Sequence, residues 1–121
     1  MNILKDKVCI ITGGAGSIGL ATARLFLAEG AKVMLTDLHR NSLDAAAKAL
    51  DAGGNLETCA ADVSNAASVR GMVGTTVRCW GEIDVVFSNA GIFGVVAPIS
   101  EYPEETFDAV YAVHVRGAFL T

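Results

Sequence analysis

The residues Thr12-Gly13-Gly14-Ala15-Gly16-Ser17-Ile18-Gly19 constrain this chain more than any others. They follow a short apolar run, Val8-Cys9-Ile10-Ile11, and open a helix-like stretch from Ile18 to Glu29 with apolar residues at Ala21, Leu25 and Phe26. A strand, a glycine turn and a helix in that order form the context in which a glycine motif signifies dinucleotide binding. Glycines let the backbone turn tightly and approach a pyrophosphate closely. The helix N-terminus then presents free N–H groups and a partial positive charge to the phosphates.

The rest of the chain repeats the alternation. Strands are predicted over Lys7–Thr12, Lys32–Thr36, Leu56–Ala61 and Ile83–Ser88, which are apolar, often β-branched and bounded by turn signals. Helices are predicted over Ile18–Glu29, Asn41–Ala52, Ala66–Trp80 and from Pro103 to the end. Glu29-Gly30 and Gly53-Gly54 read as helix stops, Ser64 or Asn65 as an N-cap, and Pro103 as a first-turn residue. Alternating elements with near-continuous apolar strands imply an α/β fold, a Rossmann-like doubly wound parallel sheet. About four strands are present, in the expected order 3-2-1-4, so ligand binds at the carboxyl ends of the first and fourth.

The predicted strand ends carry polar and small residues suited to a dinucleotide. Gly14-Ala15-Gly16-Ser17-Ile18-Gly19 fits GxGxxG, and Thr12 to Gly19 fits TGxxGxxG. Asp37 lies eighteen residues after Gly19, near the spacing of about 20 at which an acid accepts hydrogen bonds from the adenosine ribose. A carboxylate there repels a 2′-phosphate, and Leu38 supplies no cation to reverse this, so NAD is favoured over NADP. Asp62 is either a turn acid or helix cap, or an acceptor for the adenine amine. Asn89-Ala90-Gly91 is either an ordinary turn or a small-residue platform on which a cofactor lies.

Composition narrows the alternatives. The 121 residues make one domain, and 52% hydrophobic content with 13 glycines excludes disorder. A net charge of −4 and no basic cluster argue against a nucleic-acid surface. No apolar stretch approaches the roughly 20 residues of a membrane span. Cys9, Cys59 and Cys79 show neither CxxC pairing nor metal spacing. They read as reduced, mostly buried thiols of a cytoplasmic protein with no metal site.

Taken together, Thr12–Gly19, Asp37, Asp62-Val63, Ser88-Asn89-Ala90-Gly91 and Val113-His114-Val115-Arg116-Gly117 resemble the short-chain dehydrogenase/reductase family, in its short, NAD-preferring branch. The resemblance covers nearly the whole chain. It implies a nicotinamide cofactor and hydride transfer to or from an alcohol or carbonyl carbon of a small molecule. It also implies a homo-oligomer, dimer or tetramer, in the complete enzyme. By carry-over, Gly13, Ser17, Ile18 and Gly19 form the phosphate loop, and Gly16 within it is also expected to bind the cofactor. Asp37 and Leu38 lie at the adenosine ribose, Asp62 and Val63 at the adenine, and Asn89, Ala90 and Gly91 at the strand end and cofactor ribose.

The chain departs from the family pattern in three ways. The middle glycine of the short branch's TGxxxGxG falls at Ser17, while Gly16 matches a longer, epimerase-like branch. His114 stands where the family has the Asn of its Asn-Ser-Tyr-Lys set, an Asn that acts through its backbone carbonyl on a proton-relay water. His114 is thus the catalytic candidate within the chain, and also a residue that simply fills a bend in the last helix. Unlike Asn, it can titrate near neutral pH. Finally, the family's Ser and Tyr-x-x-x-Lys are not found: neither Tyr102 nor Tyr111 has Lys four positions later.

The last predicted helix reaches Thr121 without a stop signal. The chain is therefore expected to be the cofactor-binding N-terminal half of a longer enzyme, inactive by itself. The alternatives are a non-catalytic dinucleotide-binding fragment and an NAD-containing nucleotide-sugar epimerase or dehydratase. Ile92-Phe93-Gly94-Val95-Val96-Ala97 is expected to pack into the core or a loop rather than to line the substrate site.

Overall fold

The computed structural model describes residues 2–121. Four parallel strands, β1 (Val8–Ile11), β2 (Lys32–Asp37), β3 (Leu56–Ala60) and β4 (Val85–Phe87), form one sheet in the order β3-β2-β1-β4. Ile11 pairs with Leu35 on one side and Phe87 on the other, so the carboxyl ends of the three strands are level. Helices α1 (Ser17–Ala28), α2 (Arg40–Leu50) and α3 (Ala66–Trp80) are the crossovers. After β4, a long loop leads to α4 (Glu104–Tyr111), a π-helical turn (Ala112–Arg116) and α5 (Gly117–Leu120).

Strand side chains alternate between faces, and both faces here are covered. Cys9, Ile11, Val33 and Leu35 pack with Ala23 of α1 and with Leu43 and Ala46 of α2. Ile10 and Met34 point the other way, against Val69 and Met72 of α3, with Leu120 beside them. This two-sided burial is why β1 and β2 read as continuous apolar runs rather than alternating ones. Each fully buried Ile or Leu contributes roughly 1.5–3 kcal/mol, so the sheet centre anchors the glycine turn that follows β1.

A polar latch sets the opposite end. Asp84 accepts from the Val8 N–H at 2.9 Å and from Lys7 Nζ at 2.9 Å, and its own N–H donates to the Val8 carbonyl at 2.9 Å. The Val8 N–H, and then Lys7, hold the Asp84 carboxyl below its usual range, while the same contact raises Lys7. The latch fixes β4 against β1 in register.

Several predicted boundaries shift. β4 spans only Val85–Phe87, because among the described residues it has a ladder on one side alone, opposite Cys9–Ile11. α2 ends at Leu50 with Asp51 in the left-handed region (φ 45°), so the Gly53-Gly54 stop belongs to a short 3₁₀ turn instead. Asn65 rather than Ser64 caps α3, accepting the Ser68 N–H at 2.9 Å. Pro103 sits at the N-cap of α4, not in its first turn. Of the cysteines only Cys9 is buried, which pushes its thiol up to about 11; Cys59 is half-buried and Cys79 exposed. Within Ile92–Ala97, Ile92 to Val96 are exposed and Ala97 is half-buried, so the segment is a loop packed against α4 and the π turn rather than core: the Tyr102 hydroxyl accepts the Val95 N–H at 3.5 Å, and His114 lies against Ile92. The last helix is not continuous: the π turn widens it before Gly117, where a Cβ would lie 2.8 Å from Val63 Cγ2. That close packing brings the last helix against the end of β3.

Candidate functional site

The strand ends converge on one cavity of about 450 Å³, within the size range of small-molecule and cofactor pockets. Its floor is the glycine turn. Gly13 has φ +64°, and a Cβ there would lie 2.9 Å from the Ala90 Cα; left-handed backbone and close approach both require glycine. At Gly19, a Cβ would overlap the Gly13 carbonyl oxygen and lie 2.8 Å from the Gly14 Cα. Gly19 thereby lets α1 pack directly beneath the turn, but it does not line the cavity. Gly16 is the N-cap of α1, with extended backbone. A Cβ there would touch only the Gly13 carbonyl oxygen, at 3.4 Å, so the position does not demand glycine.

No side chain caps α1, and its first turn carries no acid. The opening N–H groups of a helix have no intrahelical partner. Those of Ser17 and Ile18, which line the cavity, form a cradle suited to a phosphate.

The β1 and β4 ends are tied together by Thr12 and Asn89. The buried Thr12 hydroxyl accepts from the Asn89 N–H at 2.9 Å and the Ala90 N–H at 3.0 Å. Asn89 Nδ2 donates to the Thr12 carbonyl at 3.1 Å and the Gly13 carbonyl at 3.3 Å. Asn89 therefore holds the turn, and with Ala90 and Gly91 it forms cavity wall.

Asp37 ends β2 and lines the cavity. One carboxylate oxygen accepts the Ala15 N–H at 3.0 Å and the other the Leu38 N–H at 2.7 Å. Each oxygen retains a second lone pair for a ligand hydroxyl. Leu38 is an exposed apolar wall. Arg40, the nearest cation in sequence, is drawn off: its guanidinium donates to Thr58 Oγ1 at 2.7 Å and lies 3.6 Å from Asp44.

Asp62 and Val63 line the far end. Asp62 Oδ1 accepts from the Ser64 N–H at 2.9 Å and hydroxyl at 2.6 Å, so its turn-forming role is present alongside its place in the cavity. His114 is not itself a lining residue, but its Nε2 lies 2.8 Å from the Ile92 carbonyl oxygen and 3.1 Å from the Ile92 nitrogen. Both Gly91 and Ile92 are lining residues.

The cavity also includes Thr36, His39, Ala61, Ile92 and Val113, none of which was singled out from the sequence as a binding residue. All five adjoin a singled-out position, so extending each strand end by one residue would have found Thr36, Ala61, Ile92 and, beside Leu38, His39. Val113 precedes His114 in the late motif, and the π turn brings it to the cavity. No helix among the described residues is long and apolar enough to cross a membrane.

Comparison with known proteins agrees with this fold. Levodione reductase of Leifsonia aquatica is 41% identical over 118 residues, covering 95% of this chain and 44% of that protein. Tropinone reductase-like 1 of Erythroxylum coca is 40% identical over 120 residues, covering 97% of this chain and 43% of that protein. Among solved structures, NAD+-bound xylitol dehydrogenase superposes with a TM-score of 0.93 at 38% identity, covering 98% of this chain and 46% of that one. The chain thus spans just under half the length of these relatives. The family model described as short chain dehydrogenase matches residues 7–121, and the chain belongs to the short-chain dehydrogenase family.

Proposed function

We propose that this chain forms the cofactor-binding part of an NAD(H)-dependent oxidoreductase that acts on an alcohol or carbonyl group of a small molecule. The observation that carries the proposal is the meeting of the glycine turn, Asp37, Asp62-Val63 and Asn89-Ala90-Gly91 around one cavity. A turn that requires glycine at Gly13, by its left-handed backbone and its close approach to Ala90, and an uncapped helix start fit a pyrophosphate. A bound nicotinamide would supply or accept the hydride.

The chain's own residues bind and orient. Ser17 and Ile18 offer N–H groups to the phosphates, Asp37 accepts from the adenosine ribose, and Leu38 and Val63 flank the adenine. Thr12 and Asn89 hold the strand ends so that Ala90 and Gly91 keep their place beside the nicotinamide ribose. NAD rather than NADP follows from Asp37 at the ribose and from the engagement of Arg40 with Thr58 and Asp44. A general acid/base with a tuned pKa is required for the alcohol proton. We assign it to the part of the relatives' length that this chain does not span, because neither Tyr102 nor Tyr111 has a Lys four residues on. Against the nucleotide-sugar epimerase alternative, suggested only by Gly16, stands Asn89-Ala90-Gly91, which matches the short branch.

Calorimetric titration with NADH and NADPH tests the proposal. We expect NADH to bind at least tenfold more tightly. Equal affinity, or tighter NADPH binding, would overturn the cofactor preference; no binding of either would overturn the site.

A further inference from the structure

We propose that His114 is a positioning residue for the cofactor cavity, acting through the Ile92 peptide, and that the proton on Nε2 decides which of Ile92's two backbone groups it holds. The distances carry the inference. Nε2 lies 2.8 Å from the Ile92 carbonyl oxygen and 3.1 Å from the Ile92 nitrogen. An imidazole nitrogen is a donor or an acceptor, never both at once. With Nε2 bare, it accepts the Ile92 N–H, and its lone pair faces a carbonyl oxygen at 2.8 Å. With Nε2 protonated, it donates to that oxygen, and the Ile92 N–H loses its acceptor. No single protonation state satisfies both groups. A primary amide side chain, with a donor and an acceptor on separate atoms, would.

The ring has little freedom to escape this choice. A Cβ on Gly91 would lie 2.6 Å from His114 Cε1 and 3.1 Å from Nε2, so the imidazole rests on the Gly91 backbone. The π turn Ala112–Arg116 places it there. Gly91 and Ile92 are both cavity wall, so an exchange of partner moves a peptide of the site.

The loop from Asn89 to Pro98 carries no ionisable side chain. On the ring's own helical segment, Asp108 and Tyr111 precede it, and Arg116 is turned away to donate to the Ser64 carbonyl at 3.2 Å. Across the cavity stand Asp37, His39 and Asp62. No carboxylate pairs with the His114 ring among the described residues. Histidine is the side chain whose ordinary charge change falls between pH 5 and 8.

An NMR pH titration of the unliganded chain tests the exchange without relying on the cofactor assignment. We expect the Ile92 amide proton to move downfield with rising pH, with the same midpoint as the His114 ring protons, and to become pH-independent in His114→Asn. An Ile92 amide that does not titrate, that follows His39, or that titrates unchanged in His114→Asn would overturn the proposal. NADH affinity measured across the same range reads the link to the cavity. It should change across the His114 midpoint in the native chain and not in His114→Asn. A flat affinity beside a titrating Ile92 would overturn that link. Absence of NADH binding at every pH would overturn the cofactor assignment, while the amide titration would still decide the exchange.

Discussion

The Asp37 carboxylate accepts the backbone N–H of Ala15 at 3.0 Å, tying the end of the second strand to the turn that follows the first. One side chain thereby shapes the glycine turn and faces the cavity. Under the proposed function, cofactor recognition and turn geometry are coupled at this residue.

Substitution of Asp37 therefore has two consequences. Asp37→Ala removes the ribose acceptor and frees the Ala15 N–H. Hydrogen bonds to a charged group are worth roughly 1.5–3 kcal/mol, so NADH affinity should fall by about 10- to 100-fold. NADPH, relieved of repulsion, should lose far less. Paired fluorescence titrations of the two cofactors would show the ratio collapse; an unchanged ratio would contradict the role of Asp37.

Gly19 is predicted to matter through packing alone, since it lies outside the cavity. In Gly19→Ala the new methyl meets the backbone at Gly13 and Gly14, which cannot yield as a flexible side chain would. Overpacking of this kind costs about 1–3 kcal/mol, visible as a lower urea midpoint, with NADH affinity reduced because the turn is displaced. Gly16→Ala should leave the urea midpoint nearly unchanged, because its Cβ would touch only one atom, at 3.4 Å.

Thr12→Val keeps the shape of a fully buried side chain and deletes its hydroxyl. The Asn89 and Ala90 N–H groups both lose their acceptor. Leaving a buried donor unsatisfied costs about 1–3 kcal/mol. Urea unfolding should register a loss in that range, and hydrogen exchange at the Asn89 and Ala90 amides should accelerate. Unchanged exchange at both would show that Thr12 does not hold the strand end.

The Asp84 latch predicts a pH effect on stability. Its carboxyl is held below the unfolded value by the Val8 N–H and then by Lys7. A depressed carboxyl contributes stability that is fully present above its unfolded pKa of about 3.9. That contribution is lost as the pH falls from there through the lower folded value. Asp84→Asn should lower Tm at pH 7 and flatten the decline of Tm below about pH 4. Parallel melting curves for both proteins at every pH would contradict the latch.

Much of this architecture is legible in the sequence, for physical reasons that can be named. Ile10, Ile11, Val33 and Met34 are buried on both faces of the sheet, so their runs announce parallel strands and, with the crossovers, the strand order. α3 begins and ends where its cap and apolar spacing indicate, at Ala66 and Trp80. The glycine turn is legible because left-handed backbone at Gly13 and close backbone approach at Gly13 and Gly19 restrict residue type so strongly. The π turn is not, since Val113-His114-Val115 carries the same apolar pattern as an ordinary helix; only the contact of Gly117 with Val63 and of His114 with Ile92 reveals it. The second task of Asp37, as acceptor for Ala15, is likewise a product of tertiary geometry.

The most direct test is an amide-shift map of the ¹⁵N-labelled chain titrated with NADH. We predict that the largest shifts fall on Gly13, Ser17, Ile18, Leu38, Val63, Ala90 and Gly91, saturating at one dissociation constant, with NADPH reproducing them only at higher concentration. Shifts confined elsewhere, such as the groove formed by Val69, Val73, Phe119 and Leu120 between α3 and α5, or no shifts at all, would contradict the assignment of the strand-end cavity to a dinucleotide.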